Sequence, residues 1–137
     1  MRMRPPRTAL LFVEIAALLL AATVARAQEY TQRLRSPASV TGLIGGESHD
    51  SYVIRARKGE TMTVQISWRR EHDESGENHA EFFVGELPDF NGAGAVKFGH
   101  ESSDGKRWRG RVPRTGNYYI YVMGHPWAHY TLKVMVR

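Results

Sequence analysis

Cysteine is absent from the 137 residues. No disulfide framework, thiolate nucleophile or thiolate metal site is therefore available. The H-E-x-x-H spacing of metalloproteases and the G-x-S-x-G nucleophile elbow are also missing, which removes two common hydrolase signatures. No low-complexity tract or internal repeat occurs, and there is one long apolar run. That run, Ala9 to Val24, is broken only by Glu14 and Thr23. It follows the basic head Met1-Arg2-Met3-Arg4-Pro5-Pro6-Arg7 and ends at Ala25-Arg26-Ala27. Basic head, apolar middle and small-x-small tail are the pattern of a secretory signal peptide cleaved after Ala27. The run is too short for a membrane anchor, which needs about 20 apolar residues.

The formal charge of +5 misleads, because residues 1–27 carry Arg2, Arg4, Arg7 and Arg26 against Glu14 alone. Residues 28–137 hold 15 basic and 13 acidic side chains, a balance of +2. That composition is not a nucleic-acid binder's. With no second apolar run, the mature chain is expected to be membrane-free, in the periplasm or secreted. Its length suits one domain that folds on its own core.

Residues 28–39 are polar, contain Pro37 and lack periodicity; they are expected to form a flexible lead-in. From Val40 the pattern steps in twos. Met62, Val64, Ile66 and Trp68 alternate with Thr61, Thr63, Gln65 and Ser67, as in a strand with one wet face. Tyr130, Leu132, Val134 and Val136 repeat this against Thr131, Lys133 and Arg137. Val40–Ile44, Ser51–Arg57, His79–Gly85, Lys106–Val112 and Asn117–Met123 are further strands. Turn signals separate them, among them Lys58-Gly59, Asn91-Gly92, Asp104-Gly105 and Thr115-Gly116. About seven or eight short strands and no helical period predict an all-β domain over residues 40–137: an antiparallel, jelly-roll-like β-sandwich.

The segment Asp50-Ser51-Tyr52-Val53-Ile54-Arg55-Ala56-Arg57-Lys58-Gly59-Glu60-Thr61-Met62-Thr63-Val64 resembles a D-x-Y…A-x-K-G-Q…V pattern of two related groups. One is the bacterial pre-peptidase C-terminal domain, the other the periplasmic inhibitor of g-type lysozyme. Gly110-Arg111-Val112-Pro113-Arg114-Thr115-Gly116-Asn117-Tyr118 is similar to their G-x-L-P-x-S/T-G-x-Y, and Tyr130-x-Leu132-x-Val134 to their closing strand. The resemblance spans roughly Val40 to Val136 and implies a β-sandwich. A free-standing domain behind its own signal implies the inhibitor group, hence a g-type lysozyme or another envelope protein as partner. In that group a Ser-Gly-x-Tyr loop enters the lysozyme cleft, and Thr115-Gly116-Asn117-Tyr118 stands in its place here. The pre-peptidase group implies instead a module for carbohydrate or an envelope protein.

If Lys106–Val112 and Asn117–Met123 pair about Thr115, Arg111 lies opposite Tyr119, Arg109 opposite Tyr121 and Arg107 opposite Met123, all on one face. With Arg114 at the tip, that face would suit an acidic polysaccharide or an acidic enzyme cleft, since arginine and tyrosine are favoured interface anchors. The bland alternative is a solvated face on which arginine stems cover tyrosine rings. Trp127, beside Gly124 and Pro126, is expected to plug one end of the sandwich. His49, His72, His79, His100, His125 and His129 show no metal-ligand spacing and are expected to be scattered, so no metal or cofactor is expected. Ser102-Ser103-Asp104 near His100 is a weak echo of a triad in a Gly-rich turn. The expected function is non-catalytic binding.

Overall fold

The computed structural model describes residues 31–73, 76–88, 90 and 95–137. The expected signal peptide, Gln28–Tyr30, Glu74 and the Asn91-Gly92 turn lie outside the described residues. Eleven strands follow in order: β1 Thr31–Leu34, β2 Ala38–Gly45, β3 His49–Ala56, β4 Thr61–Trp68, β5 His72–Asp73, β6 Gly76–Glu77, β7 His79–Gly85, β8 Gly99–Glu101, β9 Arg107–Arg111, β10 Gly116–His125 and β11 Trp127–Val136. They build a four-stranded sheet, β1-β3-β10-β7, and a five-stranded sheet, β2-β11-β4-β9-β8, with β5-β6 as a separate small hairpin. The β-sandwich is as expected, and all seven expected strands are present.

Two expectations need correction. The lead-in is not without structure: Thr31–Leu34 pairs in parallel with β3, Thr31 opposite Ser51 and Leu34 opposite Ile54. A polar edge strand needs only one face in the core, and here Leu34 supplies it. The second correction concerns residues 112–115. β9 pairs with β4 and β8, and β10 pairs with β3 and β7, so the two segments lie in different sheets. The chain crosses the sandwich there instead of turning back. Gly116 does not adopt positive φ, as the primed two-residue hairpin turns require, and Pro113 supplies no N–H to a ladder.

A second crossing, residues 57–60 between β3 and β4, runs beside the first. The Gly59 N–H donates to Val112 O at 2.8 Å, the Val112 N–H to Glu60 O at 2.8 Å, and the Lys58 N–H to the Thr115 hydroxyl at 2.9 Å. Gly59, at φ 91°, takes the left-handed conformation that closes this arch. The two arches thus satisfy each other's backbone polar groups where both sheets end.

Alternation decides the interior. Ile54, Met62, Val64, Trp108, Val112, Tyr118, Ile120, Val122, Leu132 and Val134 are buried in one cluster between the sheets. Each fully buried aliphatic side chain contributes about 1.5–3 kcal/mol relative to exposure. The core also contains a polar relay. Tyr52 of one sheet donates to the Tyr130 oxygen of the other at 2.5 Å, and Tyr130 in turn donates to Asp50 Oδ2. A Cβ at residue 42 would stand 2.7 Å from the Tyr130 ring, so only glycine fits there. Burial raises both phenols above the ordinary tyrosine range, and for Tyr130 the hydrogen bonds to Asp50 and Tyr52 add to the rise.

Tyr130→Phe should cost about 1–3 kcal/mol in urea denaturation, because it strands the Tyr52 hydroxyl and one Asp50 oxygen. The raised phenols contribute stability below about pH 10 that is lost as pH climbs through their higher folded values. In an alkaline titration, a subset of phenolate absorbance should therefore appear only together with loss of the β circular-dichroism signal. Titration of all the tyrosines as one class while the fold persists would contradict this.

Candidate functional site

The crossing at residues 112–115 separates the residues that sequence reasoning placed on one face. Arg107, Arg109 and Arg111 point outward from β9, opposite Gln65, Thr63 and Thr61 of β4. Asn117, Tyr119 and Tyr121 belong to the outward positions of β10 in the other sheet, while Tyr118 between them is buried in the core. Pro113, Arg114 and Thr115 are exposed on the arch, and Gly116 opens β10. The expected arginine–tyrosine ladder does not exist, because alternation preserves the face of each strand but is silent on which strand lies beside it.

The loop residues have distinct jobs. The Thr115 hydroxyl accepts from Lys58, pinning one arch to the other. Tyr118 runs its ring beneath the arch and donates its hydroxyl to Arg114 O at 2.6 Å; burial raises this phenol above its ordinary range. Tyr118 is thus a pillar under the loop and cannot itself enter a partner's cleft. Asn117 Oδ1 is buried without a hydrogen-bond partner. Arg114 Nη2 reaches Glu86 Oε2 at 2.7 Å, but its side chain stays 73% exposed, so the pair holds it weakly. Arg57, Lys58 and Arg111 are exposed around the same end, giving the tip a cationic rim.

Tyr121 is not a surface anchor. It is covered by Phe83 and Phe90, at ring separations of 4.9 and 5.5 Å, and donates its hydroxyl to Leu87 O at 2.5 Å. Leu87 and Phe90, beyond β7, therefore cover this part of the outer face of the four-stranded sheet. Trp127 does not plug the interior. It pairs with Gly45 at an outward position of β11, partly exposed and edge-on to His129 at 6.0 Å.

The outer face of the five-stranded sheet carries an open surface. A shallow groove there runs between Arg107 and Arg109 of β9, Lys133 and Met135 of β11, and Arg137. No Asp or Glu side chain lines it among the described residues. The Gln65 side-chain oxygen, in the amide orientation that suits both partners, accepts from Arg107 Nε at 2.8 Å and Nη2 at 2.7 Å. The sequence shows Lys133 and the arginines as wet-face residues; their shared face follows from β4 lying between β9 and β11.

Ser102 and Asp104 do not form a triad with His100. The Ser102 hydroxyl donates to Asp104 Oδ1 at 2.6 Å and accepts the Arg107 N–H at 3.0 Å, closing the β8–β9 turn. The Ser102 hydroxyl, then the Lys106 N–H, hold the Asp104 carboxyl below the ordinary range. His100 stands opposite Arg109 on the outer face. Asn78 is buried at the base of the charged 69–78 segment, where its amide donates to Arg69 O at 3.0 Å and accepts the Glu71 N–H at 2.6 Å. The six histidines are not all scattered: His79 and His125 meet across the β7–β10 ladder beside Glu81.

Arg109→Ala and Arg111→Ala should each change stability by less than about 0.5 kcal/mol, as outward side chains off the core. Thr115→Val should cost about 1 kcal/mol by removing the acceptor for Lys58. Chemical denaturation of the three variants checks this ordering, and equal effects would contradict the paired arches.

No family model matches the sequence, and no curated protein matches it. Solved structures do match. The periplasmic inhibitor of g-type lysozyme from Aeromonas hydrophila is 25% identical with a TM-score of 0.59, over 78% of this chain and 96% of that one. The inhibitor from Salmonella Typhimurium is 18% identical with a TM-score of 0.52, over 78% of this chain and 98% of that one. The pre-peptidase C-terminal domain of a Bacillus anthracis collagenase is 18% identical with a TM-score of 0.53, over 80% of this chain and 98% of that one. The chain thus has the β-sandwich fold seen in periplasmic inhibitors of g-type lysozyme and in a pre-peptidase C-terminal domain, as its sequence motifs imply.

Proposed function

We propose that this chain is an exported, non-catalytic binding protein that inhibits a lysozyme-like cell-wall hydrolase. The observation that carries the reading is the exposed Pro113-Arg114-Thr115 tip, fixed by the neighbouring arch and by Tyr118, on a sandwich similar to known lysozyme inhibitors. Glycoside hydrolases of this kind act through carboxylates. A rigid cationic projection complements such a cleft and loses little entropy on docking. In this reading Arg114 and Thr115 touch the partner, Gly116 and Asn117 shape the approach, and Tyr118 positions the tip from below. Arg111 and Arg109 extend the contact along β9, and Arg107 continues the same outward row. Tyr119, on the other sheet, flanks the tip, and Tyr121 supports that sheet from beneath its cover.

A second reading rests on the groove between Arg107, Arg109, Lys133 and Arg137, whose described lining holds no Asp or Glu side chain. That surface suits an acidic polysaccharide or an acidic envelope protein, with binding that falls as salt rises.

Titrating the purified chain against a goose-type lysozyme should abolish lytic activity near one equivalent, and Arg114→Glu should weaken inhibition by at least about tenfold, one decade in Kd. Undiminished lysis at large molar excess would overturn the inhibitor reading. Retention on an acidic polysaccharide, lost on Arg107→Ala with Arg109→Ala, would then favour the second.

A further inference from the structure

The four-stranded sheet ends in a constellation that lies outside the sequence motifs. His79 of β7 and His125 of β10 are direct cross-strand partners, and Glu81 is on the same outward face two residues along β7. Met123 stands opposite Glu81 in the ladder. Directly opposed residues have Cβ atoms about 4.5–5.5 Å apart, so these side chains converge without any distortion of the sheet. The imidazole rings stack at 4.9 Å and 21°. The Glu81 carboxylate lies between them, Oε1 at 3.3 Å from His79 Nε2 and Oε2 at 3.4 Å from His125 Nε2. One donor atom from each of the three residues lies within 4.8 Å of the others.

From this arrangement we infer that His79, Glu81 and His125 form a surface site for a divalent first-row transition-metal ion, of the Zn²⁺ or Cu²⁺ class. Ligand atoms about 2.1 Å from a tetrahedral ion are separated by about 3.4 Å. The two nitrogen–oxygen separations are close to that value but involve the two different Glu81 oxygens. Rotation of the carboxylate and of the rings, whose donor atoms lie within 4.8 Å of one another, is what brings one oxygen and both nitrogens onto a single ion. Two imidazoles and one carboxylate suit zinc, copper or nickel, whereas calcium and magnesium prefer all-oxygen sites. The remaining position opens to solvent, so an exchangeable water or a partner's side chain can complete the shell. Glu101 and Asp104 line the depression beside His79, Glu81 and Met123, adding negative charge that draws in a cation. Each histidine and Glu81 is about half exposed, at 45, 47 and 57% for His79, His125 and Glu81, so an ion reaches them without opening the fold. The site is on the opposite sheet from the arginine groove and stands independently of the inhibitor reading.

The test uses the purified chain without an affinity tag, stripped with chelator and titrated with Zn²⁺, Cu²⁺ and Ca²⁺ by calorimetry. The expected result is one equivalent of Zn²⁺ or Cu²⁺ and no Ca²⁺. Loss of an outer-sphere partner costs about 10–100-fold in metal affinity. His79→Ala and His125→Ala should each cost at least that, Glu81→Gln should weaken binding, and His129→Ala should leave it unchanged. Trp68, whose ring centre is 6.5 Å from that of His79, provides a second readout through Cu²⁺ quenching of its fluorescence. Circular dichroism verifies that each variant folds. No binding by the parent chain, or equal binding by the parent, His79→Ala and His125→Ala, overturns the site.

Discussion

Two chain crossings, laid side by side, carry the rest of this structure. Residues 57–60 pass from the four-stranded to the five-stranded sheet and residues 112–115 pass back, and each satisfies the other's backbone through Gly59, Val112, Glu60, Lys58 and Thr115. Their pairing makes β3 a neighbour of β10 and β4 a neighbour of β9. It also decides which side chains share a surface. The arginines of β9 join Thr63, Gln65 and Lys133 on one outer face, and Tyr119 and Tyr121 of β10 join Phe83 and Phe90 on the other. A hairpin at the same place would have merged the two sets.

The same logic explains residues that the motifs single out. Asp50 and Tyr52 of β3 and Tyr130 of β11 form one relay between the sheets. A buried hydroxyl is costly unless it is paired. The D-x-Y segment and the tyrosine of the closing strand are therefore one structural unit, distant in sequence and joined in space. Tyr118 plays a comparable part at the arch, with its ring in the core and its hydroxyl on the loop backbone. What reads as an aromatic binding motif is largely the scaffold that holds Arg114 and Thr115 outward.

The strands were legible where alternation was strong. β4 and β11 present the faces expected of them, because every second residue from Met62 and from Tyr130 is apolar. β1 was hidden because Thr31, Gln32 and Arg33 are polar and only Leu34 is buried. β8 was hidden because three residues cannot establish a period. Strand partners were not legible at all: the outward parity of Arg109 is the same whether it faces Thr63 or Tyr121. The histidine pair is hidden in the sequence for the same reason. Nothing in the local spacing of His79 or His125 announces the other, and only the β7–β10 register brings them together.

In the proposed function, the working surface is the arch tip with the β9 arginines, and the four-stranded sheet's aromatic face is structural. Backbone chemical-shift mapping of the labelled chain with a goose-type lysozyme tests this most directly. The account predicts that perturbations concentrate at residues 112–117, at Lys58 and along Arg107–Arg111. Perturbations confined to Phe83, Tyr119 and Tyr121, or a spectrum unchanged at saturating lysozyme, would contradict it.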